Sequence, residues 1–264
     1  MAANRENSVD IHGVGPGVTP FWSLTMPIDS ETSTDSVTVR IVSQLPPVDQ
    51  ARELFRHFAT VFQPHVAILH IPSTQVMMET TYRTLSEGGE PDPTAMLTLF
   101  TVFAGSAMSW TTDLLNRLKS TKKNANAAYK TYTRLAMMIV DDTRHNLPPS
   151  ASALAALITL AQVVLNSDDE FRMKEYMLRS RCLMMARGMQ LHRLDTAQSR
   201  EERNAKGYNS VEIEVQRRAW WHLVASDWYV NMSRELVREL NYLIGLVRFR
   251  GVRPKAFTQC TPAT

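Results

Sequence analysis

A chain of 264 residues with 44% hydrophobic and 21% charged side chains lies in the ordinary globular range, enough for one large domain or two small ones. Fourteen Met against ten Gly favour helices with adaptable packing over a turn-rich β fold. The net charge of +3 comes from residues 232–264, where six basic residues outweigh two acidic ones for a net of +4; the −1 body gives no support for a nucleic-acid footprint.

Residues 1–45 are rich in Ser, Thr, Pro and Gly and read as a poorly ordered leader, with Val37 to Val42 extended. From Leu45-Pro46-Pro47 onward, Ala51, Leu54, Phe55, Phe58 and Phe62 recur at three- and four-residue steps, which predicts a helix with one apolar face, ended by Pro64. Ser73 or Thr74 is the expected cap of a second helix reaching about Leu85. Asp92-Pro93 supplies an N-cap and a first-turn proline for a third helix. That helix, with Ala95, Leu99, Val102, Phe103 and Trp110, is apolar on most of its surface and should be central. A fourth helix spans Ala125 to Val140. Ser150 caps a fifth, Ala151 to Leu165, too short to cross a bilayer. A sixth runs from Asp168 or Asp169 to His192. The polar stretch Asp195 to Ser210 reads as a surface loop, and Ser210 caps the last helix, 211 to about 230. The predicted class is all-α, a multi-helix array of antiparallel neighbours, divided into a leader (1–45), a helical body (46–231) and a basic tail (232–264).

The sixth and seventh helices carry the informative motifs. At 100° per residue, Met173, Met177, Ser180, Met184, Arg187 and Leu191 share one stripe, which reads as a helix–helix seam. On the last helix Ile213, Arg217, Trp220, Val224 and Asp227 share a face, with Arg218 and His222 opposite. Trp221 and Trp228 border that face and should add apolar contact. A charge on a buried face needs a partner. Arg187 and Asp227 are therefore expected to pair across helices, and Arg217 is expected to find its own cross-helix partner. His192 sits where an imidazole can cap helix-terminal carbonyls.

Three segments in order carry a family resemblance: Phe62-Gln63-Pro64-His65-Val66-Ala67-Ile68-Leu69-His70, then Ala186 through Leu191-His192, then Glu214 to Asp227 with Arg217-Arg218 and Trp220-Trp221. From about Leu45 to Asn231 the chain resembles the middle regulatory domain of fungal zinc-cluster transcription factors. The resemblance implies a nuclear, otherwise cytoplasmic, transcription regulator that is not an enzyme and needs no cofactor. It would act through protein partners of the transcription machinery, a zinc-cluster regulator or a small-molecule effector, controlling a metabolic or biosynthetic gene set. It also makes Arg187, Leu191, His192, Arg217, Arg218, Trp220, Trp221 and Asp227 motif residues. No cysteine precedes Cys182, so the six-cysteine zinc cluster is not in this chain, and direct DNA binding is not expected of it. Residues 232–264 depart from the family pattern, so the domain reads as truncated.

Two alternatives stand beside this reading. Asp141-Asp142 on a helical chain invites comparison with isoprenoid synthases, but the third acidic position is His145 and no second metal-binding segment follows. The other alternative is a truncated remnant without function. Cys182 and Cys260 are too isolated for a metal or disulfide framework, and residues 1–20 show no secretory signal. No catalytic or metal-ligating set is nominated, and no membrane partner is expected.

Overall fold

The computed structural model describes residues 41–142, 147–166 and 169–249, with 169–173 and 230–249 as backbone only. The expectations for residues 1–40, His145 and the 250–264 end fall outside them. Residues 41–43 form a helical turn, closed by the Gln44 and Leu45 N–H groups on the Ile41 and Val42 carbonyls, so Ile41 and Val42 are not extended.

In α1 (Val48–His57), Ala51, Leu54 and Phe55 point inward as their spacing predicts. Phe58–Phe62 then form a π turn, in which the Gln63 N–H bonds to the Phe58 carbonyl. Pro64 therefore does not end the helix. The wider turn shifts the hydrogen-bond register, and the proline enters the first turn of a short α2 (Gln63–Val66), where its missing N–H costs no bond. The chain leaves helix at Ala67, held in the left-handed region at φ 54°. The cap of α3 (Ile71–Ser86) is also not the expected Ser73 or Thr74. The ring of His70 accepts the Ser73 N–H instead.

The central helix is α4 (Pro93–Met108), as its apolar surface predicts: every residue from Thr94 to Ala107 is buried. The Asp92 carboxylate accepts the Ala95 N–H at 3.0 Å and starts it. A short α5 (Thr112–Arg117), capped by Thr111 and anchored by Leu114 and Leu118, follows where no helix was expected. Then α6 (Lys122–Asp141) packs along α4, its fully buried Tyr132 ring 6.0 Å from Phe100 and 5.6 Å from Phe103. α1 lies on another side of α4, where Ser106 donates to the Leu54 carbonyl at 2.6 Å and the His57 ring donates to the Ser109 carbonyl at 2.7 Å.

Ser150 caps α7 (Ala151–Leu165) through the Ala153 N–H, as its sequence predicts. α7 packs against both α4 and α8 (Asp169–Gly188). The loop expected after it is instead helical: α9 (Ala197–Lys206) starts at a Thr196 cap and buries none of its residues. The last helix, α10 (Ser210–Phe249), continues well beyond the expected end near residue 230. No strand occurs among the described residues. Contacts divide the chain into two units, one through Trp220 and one from Trp221 onward.

Candidate functional site

The seam on α8 lies on a different stripe from the one the large side chains mark. Met177 and Met184 are 67% and 74% exposed, and Arg187 is exposed as well. The buried stripe is Leu178, Cys182 and Ala186, spaced four apart. Small side chains at Cys182 and Ala186 let the backbone of a neighbouring helix approach closely, while a long thioether tolerates either environment. Burial pushes the Cys182 thiol up to about 12, which leaves it protonated and unreactive. Among the described side chains of α10 the buried positions are Val215, Ala219 and Leu223, about one residue off the expected face. Trp221 and Trp228 are exposed, which overturns the burial expected of them. Neither Arg187 nor Asp227 is buried, so the desolvation cost that made them attractive partners does not arise.

The other motif residues meet at one junction in the first unit. Gln63 folds its amide onto the Leu69 carbonyl at 2.7 Å, closing the loop that begins at α2. Left-handed Ala67 presents its carbonyl at the top of that loop, and Arg218 Nη1 donates to it at 3.0 Å. Next to it on α10, Arg217 grips the Asp195 carboxylate with Nε at 3.0 Å and Nη2 at 2.8 Å, and reaches Glu214 with Nη1 at 2.6 Å. That fork holds Asp195 below the usual carboxylate range and raises Arg217 in turn. Arg218 Nε is buried and stands 3.9 Å from Glu214, an ion-pair distance too long for a hydrogen bond.

Leu191 is buried, but it belongs with His192 to a 3₁₀ turn (Leu191–Arg193) entered through left-handed Gln190, so the helix does not end on the Leu-His pair. His192 is exposed and caps no helix; its ring lies 6.1 Å from that of Trp220. Thus Leu191, His192, Arg217, Arg218 and Trp220 come together, joining the α2 loop, the 3₁₀ turn and the start of α10. Sequence reading placed Gln63 and Ala67 only within a resemblance segment and Asp195 at the start of a loop, and gave none of the three a role of its own, because none shows a periodic or paired signal along the chain.

Two clefts flank the junction. One, of about 240 Å³, lies among the beginnings of α3, α7 and α10 and is lined by His70, Thr98, Ser152, Asn209 and Glu212 among others. The second, of about 430 Å³, lies between α9 and α10. Away from both, Tyr176, Met177, Met184 and Leu147 border an apolar groove of about 500 Å³ along α8. Asp141, the handle of the enzyme alternative, ends α6 with an exposed carboxylate 3.7 Å from Lys174. Among the described residues no three His, Cys, Asp or Glu side chains are grouped as metal ligands would be.

Residues 55–233 match the fungal specific transcription factor domain. The chain belongs to this family. Proteins similar to it include the "Probable transcription factor lepB" of Aspergillus flavus, 29% identical over 230 residues, which are 86% of this chain and 40% of that protein. Another is the "Agnestins biosynthesis cluster transcription factor AgnL11" of Paecilomyces divaricatus, 28% identical over 193 residues, or 72% of this chain and 27% of that protein. The family member described here therefore spans well under half the length of these relatives. No solved structure matches it at a significant level. Within the fungal transcription factor domain the Arg-Arg and Trp-Trp residues divide by position: Arg217, Arg218 and Trp220 tie helices together, and Trp221 faces outward.

Proposed function

We infer that this chain is the regulatory part of a transcription factor, acting in the nucleus on a metabolic or biosynthetic gene set. It works through contacts with the transcription machinery or a zinc-cluster regulator, or through a small-molecule effector, and not by touching bases or turning over a substrate. The observation that carries this reading is the family match across residues 55–233. The names of the two relatives support it, one of them being a biosynthesis-cluster regulator. The junction agrees in physical terms: its charges are spent on backbone carbonyls and carboxylates that join elements, an arrangement suited to transmitting a change in helix position. Among the described residues no helix is long and apolar enough to cross a membrane.

The test is a reporter assay in a fungal host, with the chain fused to an unrelated DNA-binding domain and, in parallel, co-expressed with a zinc-cluster regulator. Output should change relative to the DNA-binding domain or the regulator alone. The double substitution Arg217→Ala, Arg218→Ala should reduce that change while the protein remains expressed. Reporter levels unaffected in both formats would reject the reading.

A further inference from the structure

The cleft between α9 and α10 collects three guanidinium groups, Arg200, Arg203 and Arg217, with the polar side chains of Asn204, Tyr208 and Ser210 around them. The three arginines are not equivalent. Arg217 spends its charge on Asp195 and Glu214. Arg200 is held by two N–H groups on the Asp195 backbone carbonyl, at 3.0 and 2.7 Å, and Arg203 by one on the Leu194 carbonyl at 2.6 Å. A carbonyl fixes the direction of a guanidinium without neutralising it. Of the five N–H donors each of these arginines carries, most are left for another acceptor. Counting Glu214 in the wall and Asp195 beside it, the cleft keeps a net excess of positive charge, and the Arg200 and Arg203 forks, which share the field of Asp195 with Arg217, are already oriented by backbone.

Planar, preorganised guanidinium pairs are suited to oxyanions, which accept parallel N–H···O bonds from them. The remaining acids of α9 do not enter the cleft: Glu201 and Glu202 are absent from its lining, and Glu202 accepts from Gln198. The volume of about 430 Å³ is in the range of small-molecule sites, and the lining residues other than Ile213 carry polar or charged groups, so the ligand should be small and charged. We propose that this cleft is an oxyanion-binding site that takes the carboxylate or phosphate group of a small effector, with Arg200 and Arg203 as the binding forks. The proposal deepens the effector branch of the function given above. Its position gives it a physical output. Arg200 and Arg203 hang from the Leu194–Asp195 backbone, and Asp195 is the residue that Arg217 grips, so an occupied cleft clamps α9 and the start of α10 onto the motif junction.

The experiment uses the full chain, with inorganic phosphate and succinate as probes in separate arms. Each is compared with chloride at the same ionic strength, by calorimetric titration and by thermal unfolding. Binding of either anion above the chloride control is expected, and the arm that responds tells phosphate from carboxylate recognition. The double substitution Arg200→Gln, Arg203→Gln should weaken binding at least about tenfold, the value of one charge-assisted hydrogen bond. Because those arginines also brace the turn, Asn204→Glu serves as a second variant. It places a carboxylate in the cleft from an exposed helical position and should weaken binding similarly while the unliganded melting temperature stays put. No binding beyond chloride in both arms, or equal binding by parent and Asn204→Glu, overturns the proposal. A silent reporter with intact anion binding would instead refute the transcriptional reading and leave the site standing.

Discussion

Arg218 and Ala67 show how much a single backbone acceptor can organise. Ala67 holds a left-handed conformation that costs a residue with a Cβ about 1 kcal/mol, and glycine adopts it freely. Ala67→Gly should therefore raise stability by roughly 0.5–1 kcal/mol, read as a higher urea midpoint at unchanged slope. Arg218→Ala removes the donor at that carbonyl. Ala67 is exposed, so water replaces the lost bond and the expected cost is only about 1 kcal/mol. Asp195 gives a pH signature. Its folded-state pKa is depressed by Arg217, so the stabilisation is present above the ordinary aspartate value and is lost as pH falls through the lower folded value. Stability should decline on acidification below about pH 4. Asp195→Asn should flatten that part of the profile; an unchanged acid limb would rule out the fork as its source. The contribution is small, because both partners are partly exposed and such pairs contribute about 0.2–1 kcal/mol.

At the scale of elements, a tight packing constraint lies where α4 meets the π turn. A Cβ on Gly105 would meet two ring carbons of Phe58 at 3.0 Å, and Phe58 is fully buried. Gly105→Ala gains helix propensity of about 1 kcal/mol but forces a ring that has nowhere to go, at about 1–3 kcal/mol. The clash should win by roughly 1 kcal/mol, measured as a lower melting temperature. Elements with strong local signals were legible in the sequence. Asp92-Pro93 and Ser150 mark the starts of α4 and α7 because a cap needs only a short polar side chain and a free N–H beside it. The buried face of α8 lies opposite the expected one and that of α10 about one residue away, because two stripes satisfy helical spacing and the bulky Met and Trp residues outweigh Cys182, Ala186 and Ala219 in any sequence count. Helices α5 and α9 carry too little apolar content to register. The site was legible only in its named motif residues, since the Asp195 and Ala67 contacts depend on folding that brings distant segments together.

At the scale of the whole molecule, apolar surface stands open on each of the two units. Tyr176, Met177 and Met184 are exposed in the first, and Trp221, Trp228 and Tyr229 in the second. Tyr176, Met177 and Met184 border the apolar groove along α8, and the relatives that match this chain are more than twice its length.

The lack of any interior side chain on α9 has its own consequence. With no hydrophobic burial opposing its melting, this segment should unravel at lower free energy than any helix of the core. Among the described residues trypsin should cut first after Arg200, Arg203 or Lys206, well before global unfolding, and amide exchange there should outrun that of α4. An anion seated between α9 and α10 would delay the cut. An easily melted helix would thereby become a chemical sensor.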